Sequence, residues 1–300
     1  MAHSSNDWFA AIDPVANRSF YGLEAKVEKQ FSKIFKIGST DEPIISWAEY
    51  AGPGSLTEKA ENAAVAQKTI KEGPIKTVRA ATFAGAVTVS YEAAKDVRNR
   101  YPRVTQAAGS LGRAVDITPE LLTALDLDRA FNSGYPVSAD ALELCSTAHL
   151  LPDGVTTVAN ELTVAAPLDE QAMEDIGVNL RTMTGPDGNI MPLTIKQWIV
   201  PSALAPLIEK LCTSPRTLGS NNNDPSVVRG KYMVFDYLGS STRYFAQTNT
   251  REDGAFWNWL EKPQFITDQV VLMLQKVYVA FFRAQRGFKE FREFYGSAAS

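Results

Sequence analysis

Apolar residues return at three- and four-residue steps in some stretches of the chain and alternate with polar ones in others, which predicts a mixed α and β architecture. Residues 1–18 are polar, broken by Pro14, and read as an extended arm. Ser19 then caps a helix running to about Ile37, with Phe20, Leu23, Val27, Phe31 and Ile34 on one stripe. Lys26, Lys29, Lys33 and Lys36 occupy the remainder of its circumference. Such a stripe packs either on the chain's own core or on another molecule, and the pattern alone does not choose.

Residues 39–84 differ in character. Ile44, Ile45, Trp47 and Tyr50 read as a strand stopped by Gly52-Pro53-Gly54, and an alanine-rich, charged stretch continues to Glu72. Gly73-Pro74 punctuates it, and Ile75 to Thr82 reads as a returning strand. The segment holds too few large apolar side chains to build a core of its own. It is either disordered or a long hairpin that finds its packing elsewhere. Phe83 to Ser90 then alternates cleanly, as a half-buried strand does.

Glu92 to Asn99 reads as a short helix ending before Pro102, and Val104, Ala108, Leu111 and Val115 continue at helical spacing. Thr118-Pro119-Glu120 has the form of a helix start, with threonine as cap and proline in the first turn. Leu121, Leu122, Leu125, Ala130 and Phe131 carry the apolar face to Gly134, giving one kinked helix or two end to end. A proline inside a continuous helix costs about 3 kcal/mol, so a break at Pro119 is expected.

Beyond Gly134 the signals are mixed. Leu168 to Met183 is a helix, Gly185-Pro186-Asp187-Gly188 a turn, and Trp198-Ile199-Val200 a strand that leads through Pro201-Ser202 into another helix. Residues 213–230 are rich in Ser, Asn, Pro and Gly and read as a loop. Tyr232 to Tyr237 and Tyr244 to Thr248 read as strands around a Gly239-Ser240-Ser241 turn. Phe265 to Tyr295, rich in Val, Phe and Tyr, holds one or two long strands.

Composition narrows the function more than the fold. The 300 residues suffice for one large or two modest domains, and 45% apolar with 21% charged residues is ordinary for a globular chain. Thirty basic against 34 acidic residues leave a charge of -4, too balanced for tight phosphate-driven binding. Cys145 and Cys212 show no ligand or redox spacing and read as buried free thiols. The first residues lack the basic-then-apolar order of a secretion signal, and the most apolar run, Val270 to Ala284, is interrupted by Gln275, Lys276 and Arg283. A soluble chain made in a cytoplasm is expected.

Chemistry is hard to find. The two histidines, His3 and His149, have no partner spacing for a metal, and neither a Gly-x-Ser-x-Gly elbow nor a Gly-rich phosphate loop occurs. Three Asp-Gly pairs, at 153, 187 and 253, lack the alternating acids of a calcium loop and read as turns. Asp126 and Asp128 fall on different faces of their helix. Arg283, Arg286, Lys289 and Arg292, offset by Glu290 and Glu293, read as a solvated strand face.

Two stretches carry a resemblance. Tyr101 to Gly134, YPRVTQAAGSLGRAVDITPELLTALDLDRAFNSG, resembles the spine helix of tailed-bacteriophage major capsid proteins with the Hong Kong 97 fold, in particular the Mu-like head subunits. Its Leu-Gly-Arg-Ala core, mid-helix Pro-Glu-Leu and closing Ala-Phe-Asn-x-Gly are the shared features. Cys145 to Gly154, CSTAHLLPDG, is similar to a segment that follows this helix in the family, although the His-Pro pair common in relatives is absent here. The run GPDGNIMPLTIKQWIVPSALAPLIEKL agrees more softly.

The resemblance implies an α+β, Hong Kong 97-type capsid fold with an N-terminal arm (1–38), an extended hairpin loop (39–84), a long spine helix, and peripheral and axial domains. The peripheral domain takes 85–133, with the spine helix, and 265–300; the axial domain takes 134–264. It implies a structural subunit and no enzyme, with no cofactor, metal or membrane. That subunit forms hexamers and pentamers of a virion shell, built in the host cytoplasm around double-stranded DNA that it does not read by sequence. Phe20, Leu23, Lys26, Lys29, Lys33, Trp47, Tyr50, Lys59 and Lys68 are then the candidate inter-subunit contacts. Because the chain opens directly on the arm, a separate scaffolding protein is expected, with portal and possible decoration proteins as further partners. Some relatives cross-link a hairpin lysine to a neighbour's asparagine. Lys59, Lys68, Lys71 and Lys76 are available here, without a matched asparagine. The rival readings are an encapsulin-like compartment shell, which shares the fold, and a soluble α/β enzyme.

Overall fold

A computed structural model describes residues 14, 16–22, 28–62, 64–90, 100–213, 230–250 and 254–299. The chain divides into two compact units: Met1–Ile44 with Arg79–Thr123 and Trp257–Arg286, and Ile45–Val78 with Ala124–Phe256 and Gly287–Ser300. The last fourteen residues therefore group with the segment read as axial, not with the strands that precede them.

The first unit is built on a four-stranded sheet. Its strands are β1 (Lys36–Ser39), β4 (Ala81–Ser90), β10 (Ala255–Val270) and β11 (Gln275–Phe288), in the order β1-β10-β11-β4. β11 pairs antiparallel with β4 in unbroken register from Gln275↔Ser90 to Ala284↔Ala81. The long β10 starts at Ala255, ten residues before the expected Phe265, because Phe256 and Trp257 are buried and extend the apolar alternation backwards. Aromatic rings hold the sheet together. Phe20 stacks on Phe265 at 4.7 Å, Phe265 on Tyr278 at 5.9 Å, and Trp259 meets Phe282 edge-on at 5.3 Å.

The expected helix from Ser19 to Ile37 is shorter and starts earlier. Residues 16–21 are helical, 23–27 lie outside the described residues, and α1 is only Phe31–Ile34 before β1 begins at Lys36. The apolar stripe reads the burial correctly at Phe20, Phe31 and Ile34, each 2% exposed or less, but a stripe cannot show where helix gives way to strand.

Helix α2, Arg100–Asp128, runs through Pro119 without a break. Thr118 is no cap: its hydroxyl donates back to the Ala114 carbonyl at 2.6 Å, a mid-helix arrangement. Glu120, buried, accepts the Phe31 amide at 2.9 Å and so caps α1 across 89 residues of sequence. That long-range bond compensates part of what the proline costs. A Cβ on Gly112 would sit 2.8 Å from the Phe20 carbonyl, so the Leu-Gly-Arg-Ala glycine gives the arm room to pass. The short helix expected over Glu92 to Asn99 lies outside the described residues, as does most of the 213–230 loop.

The second unit is built on a mixed sheet of β7 (Ile195–Val200), β8 (Tyr232–Val234), β9 (Tyr244–Thr248) and β12 (Phe294–Ser297), ordered β12-β9-β7-β8. β8 and β9 do not form the expected hairpin. β8 runs parallel to β7 and β9 antiparallel to it on the opposite side. The 239–241 turn instead docks on the end of α2, where the Asp128 carboxylate accepts the Gly239 and Ser240 amides at 2.9 and 3.2 Å. Helix α3 (Glu170–Arg181), capped by Asp169, buries Ala172, Met173, Ile176 and Leu180 against Trp198, Leu211 and Tyr244. Helix α4 (Ala205–Thr213) adds Ile208 and Leu211 to the same core.

Asn160 ties this unit's loops to its C-terminal strand. Fully buried, its amide nitrogen donates to the Leu144, Phe291 and Phe294 carbonyls at 2.7–3.0 Å, and its oxygen accepts the Ser146 amide at 2.7 Å. Replacing it strands several buried backbone groups at once. Asn160→Ala is expected to lower unfolding free energy by roughly 3 kcal/mol in urea titration; a loss below ~1 kcal/mol would remove it from the structural centre.

Candidate assembly interface

Strands β2 (Ile44–Ala51) and β3 (Lys71–Arg79) form a two-stranded sheet, joined through residues 52–70, whose described residues have no regular structure. Ser46 bonds Thr77 at 2.9 Å and Tyr50 bonds Glu72 at 3.2 Å, cross-strand contacts stepping in opposite directions as in an antiparallel hairpin. β3 starts at Lys71 and runs through Gly73-Pro74, earlier than the expected Ile75. Both strands of a two-stranded sheet are edges, so the missing proline N–H breaks no interior ladder. Away from the root the hairpin exposes large apolar side chains: Leu56 is 88%, Val65 74%, Ile70 69% and Ile75 65% accessible.

The root is buried and charged. Alternation along β2 turns Ile45, Trp47, Glu49 and Ala51 to one side. Trp47 donates its indole N–H to the Lys289 carbonyl at 3.3 Å and meets Phe256 edge-on at 5.5 Å. Glu49 pairs with Arg292 at 2.5 Å, and Glu290 pairs with the same nitrogen at 2.6 Å. The Arg292 side chain is fully buried, donates from Nε to the Thr184 carbonyl at 3.2 Å, and lies over the Phe291 ring at 4.3 Å. On β3, Lys76 donates to the Pro136 carbonyl at 3.1 Å.

The basic C-terminal stretch is thus not the solvated face its alternation with acids suggests, at least at Arg292. A period-two reading treats the stretch as strand, whereas Phe291–Glu293 is a 3-10 turn that turns all three side chains inward. Phe291 stacks on His149 at 4.0 Å, and His149 in turn pairs with Asp140 at 2.8 Å. Burial works to raise the Asp140 carboxyl, but His149 and the Leu150 and Leu142 amides outweigh it and hold it below the usual range. Glu293 accepts the Ala255 amide and a 2.6 Å bond from Gln247. Burial pushes its carboxyl up to about 7 despite those bonds. Gly254 is required beside it, since a Cβ there would overlap the carboxylate.

The sequence-predicted contacts separate into groups. Phe20 is buried within the chain, Lys29 pairs with Asp116 at 3.4 Å, and Lys33 bonds Glu28. Leu23 and Lys26 lie outside the described residues. Trp47 is a root residue and Tyr50 an exposed one beside it; Lys59 is exposed and Lys68 bonds the Ser55 carbonyl. Glu49, Glu290 and Arg292 were missed. The available signal was an acid at an inward position of an otherwise apolar alternation.

No group of three or more His, Cys, Asp or Glu side chains among the described residues could hold a metal ion. A 600 Å³ concavity in the second unit, lined by Met173, Glu174, Val178, Arg181, Ile195 and Trp198, offers no histidine, cysteine or serine among its lining residues. Among the described residues no helix is long and apolar enough to cross a membrane.

No protein-family model matches the sequence, and no curated protein matches it. The fold does have relatives. A chain of the procapsid of bacteriophage JBD30 is 12% identical with a TM-score of 0.51, covering 99% of this chain and 77% of that one. A chain of the capsid of Ralstonia phage GP4 is 11% identical, TM-score 0.53, over 89% and 87%. A chain of the capsid of an empty GTA particle is 13% identical, TM-score 0.53, over 89% and 88%. The chain therefore has the Hong Kong 97-type α+β capsid fold over most of its length.

The raised Glu293 carboxyl fixes a pH dependence. Its folded value lies above its unfolded one, near 4.5, so its contribution is complete below about 4.5 and is lost as pH rises through about 7. Urea titrations between pH 5 and 8 should show stability falling by a few kcal/mol toward pH 7 relative to Glu293→Gln. Parallel profiles for the two proteins would mean that Glu293 titrates normally.

Proposed function

We propose that the chain is the major capsid subunit of a tailed-phage head, assembling as hexamers and pentamers into an icosahedral shell around double-stranded DNA. The observation that carries this is the hairpin: a root fixed by buried bonds and, beyond it, a projecting segment that displays Leu56, Val65, Ile70 and Ile75 to solvent. The capsid fold supports it. A membership in the Mu-like branch rests on the spine-helix motifs alone.

The energetics favour a repeated lattice. Burying one exposed Leu, Val or Ile is worth about 1.5–3 kcal/mol, so one hairpin supplies a modest contact. A closed shell presents each copy with several neighbours, and obligate interfaces of this kind bury about 2,000–5,000 Å². Weak contacts then hold through multiplicity. A chain of net charge -4 also suits a shell that encloses DNA without adsorbing it. On this reading the arm (1–38) and hairpin (39–84) are the assembly elements, and scaffolding and portal proteins are the partners.

Replacing residues 52–70 by Asn-Gly keeps β2, β3 and Glu49 while deleting the projecting segment. The variant should keep the parent's circular dichroism and urea midpoint yet give no closed particles in negative-stain micrographs. Shells of normal size from this variant would remove the hairpin from assembly. Parent particles filled with cargo protein instead of DNA would point to a compartment shell, and a discrete small oligomer at high concentration would defeat both.

A further inference from the structure

We propose that Arg292 is a positioning residue for the hairpin: by gripping Glu49 from the C-terminal turn it fixes the direction in which the β2–β3 hairpin is held within the second unit. The inference rests on the assembly role assigned to the hairpin, but the grip itself does not.

Three observations converge on it. First, the geometry is that of a clasp. A single guanidinium nitrogen is shared between Glu49 of β2 and Glu290 of the C-terminal turn, while Nε reaches the Thr184 carbonyl, so three separate segments meet at one cation. Second, the other hydrogen bonds that direct the hairpin among the described residues, from Trp47 and Lys76, both go to backbone carbonyls, which fix position without discriminating charge. Third, the clasp is not saturated. Arg292 Nη2 is buried without a hydrogen-bond partner among the described residues. A buried ion pair that leaves a donor unmet adds little net stability yet strongly penalises the loss of one partner, which is the profile of a specificity device.

What faces Glu49 sets how the grip responds to pH. Burial raises its carboxyl, Arg292 opposes that, and the Glu290 and Asp140 carboxylates reinforce the rise. Lys289 lines the same small concavity, and Asp140 is itself hydrogen-bonded to His149. Glu293, one residue beyond Arg292, faces Ala255 and Gln247. As pH falls, Glu49 therefore takes up a proton within the folded protein, and Arg292 is left with Glu290. A carboxyl raised in the folded state is not destabilising to the fold when protonated. A released Glu49 has an ordinary carboxyl and binds the proton less tightly, so the same linkage disfavours release of the hairpin as pH falls, and neither local release nor acid unfolding comes from this group.

Hydrogen exchange by mass spectrometry on the full-length, unassembled chain tests this, with rates corrected for the intrinsic pH dependence. Glu49→Gln keeps Arg292 paired with Glu290 and so should fold; Arg292→Met removes the cation, and the double variant closes the cycle. At pH 7, Glu49→Gln should exchange roughly ten-fold faster over residues 44–51, the loss of one charge-assisted bond, with β7 and β9 unchanged. The parent's exchange over residues 44–51 should not rise as pH is lowered, and the second substitution should add little to the first. Unchanged exchange in Glu49→Gln, or an equal rise in β7 and β9, overturns the grip. A freed hairpin that still yields normal particles leaves the grip standing and overturns the assembly role built on it.

Discussion

A guanidinium sealed from water persists only where carboxylates and carbonyls come to it, and that requirement organises the second unit. Arg292 draws Glu49 from the hairpin, Glu290 from its own turn and Thr184 from the loop after α3. Its neighbours do comparable work with different chemistry. Phe291 stacks on His149, which Asp140 orients, and Glu293 closes on the start of β10 through the Ala255 amide. Three consecutive residues of one short turn therefore anchor three different parts of the chain. The penalty for losing any partner is far larger than the net gain from having it, which makes such a turn better at fixing geometry than at adding stability.

The hairpin shows why fixed geometry matters. Its strands have a charged, bonded root and an apolar far end, the reverse of what an element selected for monomer stability would carry. Apolar side chains such as Leu56 and Val65 contribute nothing while they face solvent. They become worth a few kcal/mol only against a surface supplied from outside, and only if the root presents them to it in a reproducible direction. A flexible attachment would add an ordering cost to every contact, repeated at each subunit of a lattice. A buried ionic root removes that cost in advance.

How much of this was legible in the sequence depends on the range of the interaction concerned. Helix α3 was plain because Leu168, Ala172, Ile176 and Leu180 carry a local period, although the helix starts at Glu170, behind an Asp169 cap that the period does not show. β4 was equally plain from its alternation. Pro119 misled because local propensity argues for a break. The answering interaction, Glu120 capping α1, joins residues 89 apart and leaves no periodic trace. The same holds for β8 and β9, whose separation by β7 is decided by the parallel pairing of Trp198 with Tyr232 rather than by the glycine turn between them. At the root, a strand pattern was read through Phe291–Glu293, and a turn of three residues is too short to register a different period. Glu49 was visible as an anomaly, an acid in an apolar series, but an anomaly names no partner.

The solved chains that share this fold do so at 11–13% identity, so the fold alone is common ground. This chain meets three constraints in its own way: a long helix with room for a crossing arm, paired long strands, and a hairpin held in a defined direction. The first is met here by Gly112 beside Phe20, the second by the ring contacts from Phe20 through Phe265 to Tyr278. The third can be met by any buried group able to grip the hairpin from outside it. A cation shared between two carboxylates is one solution among several, and it differs from an apolar one in a consequential way. Apolar packing accepts many side chains of similar volume, whereas a shared cation needs a carboxylate at one defined place, so the direction it sets is tied to Glu49 and Glu290.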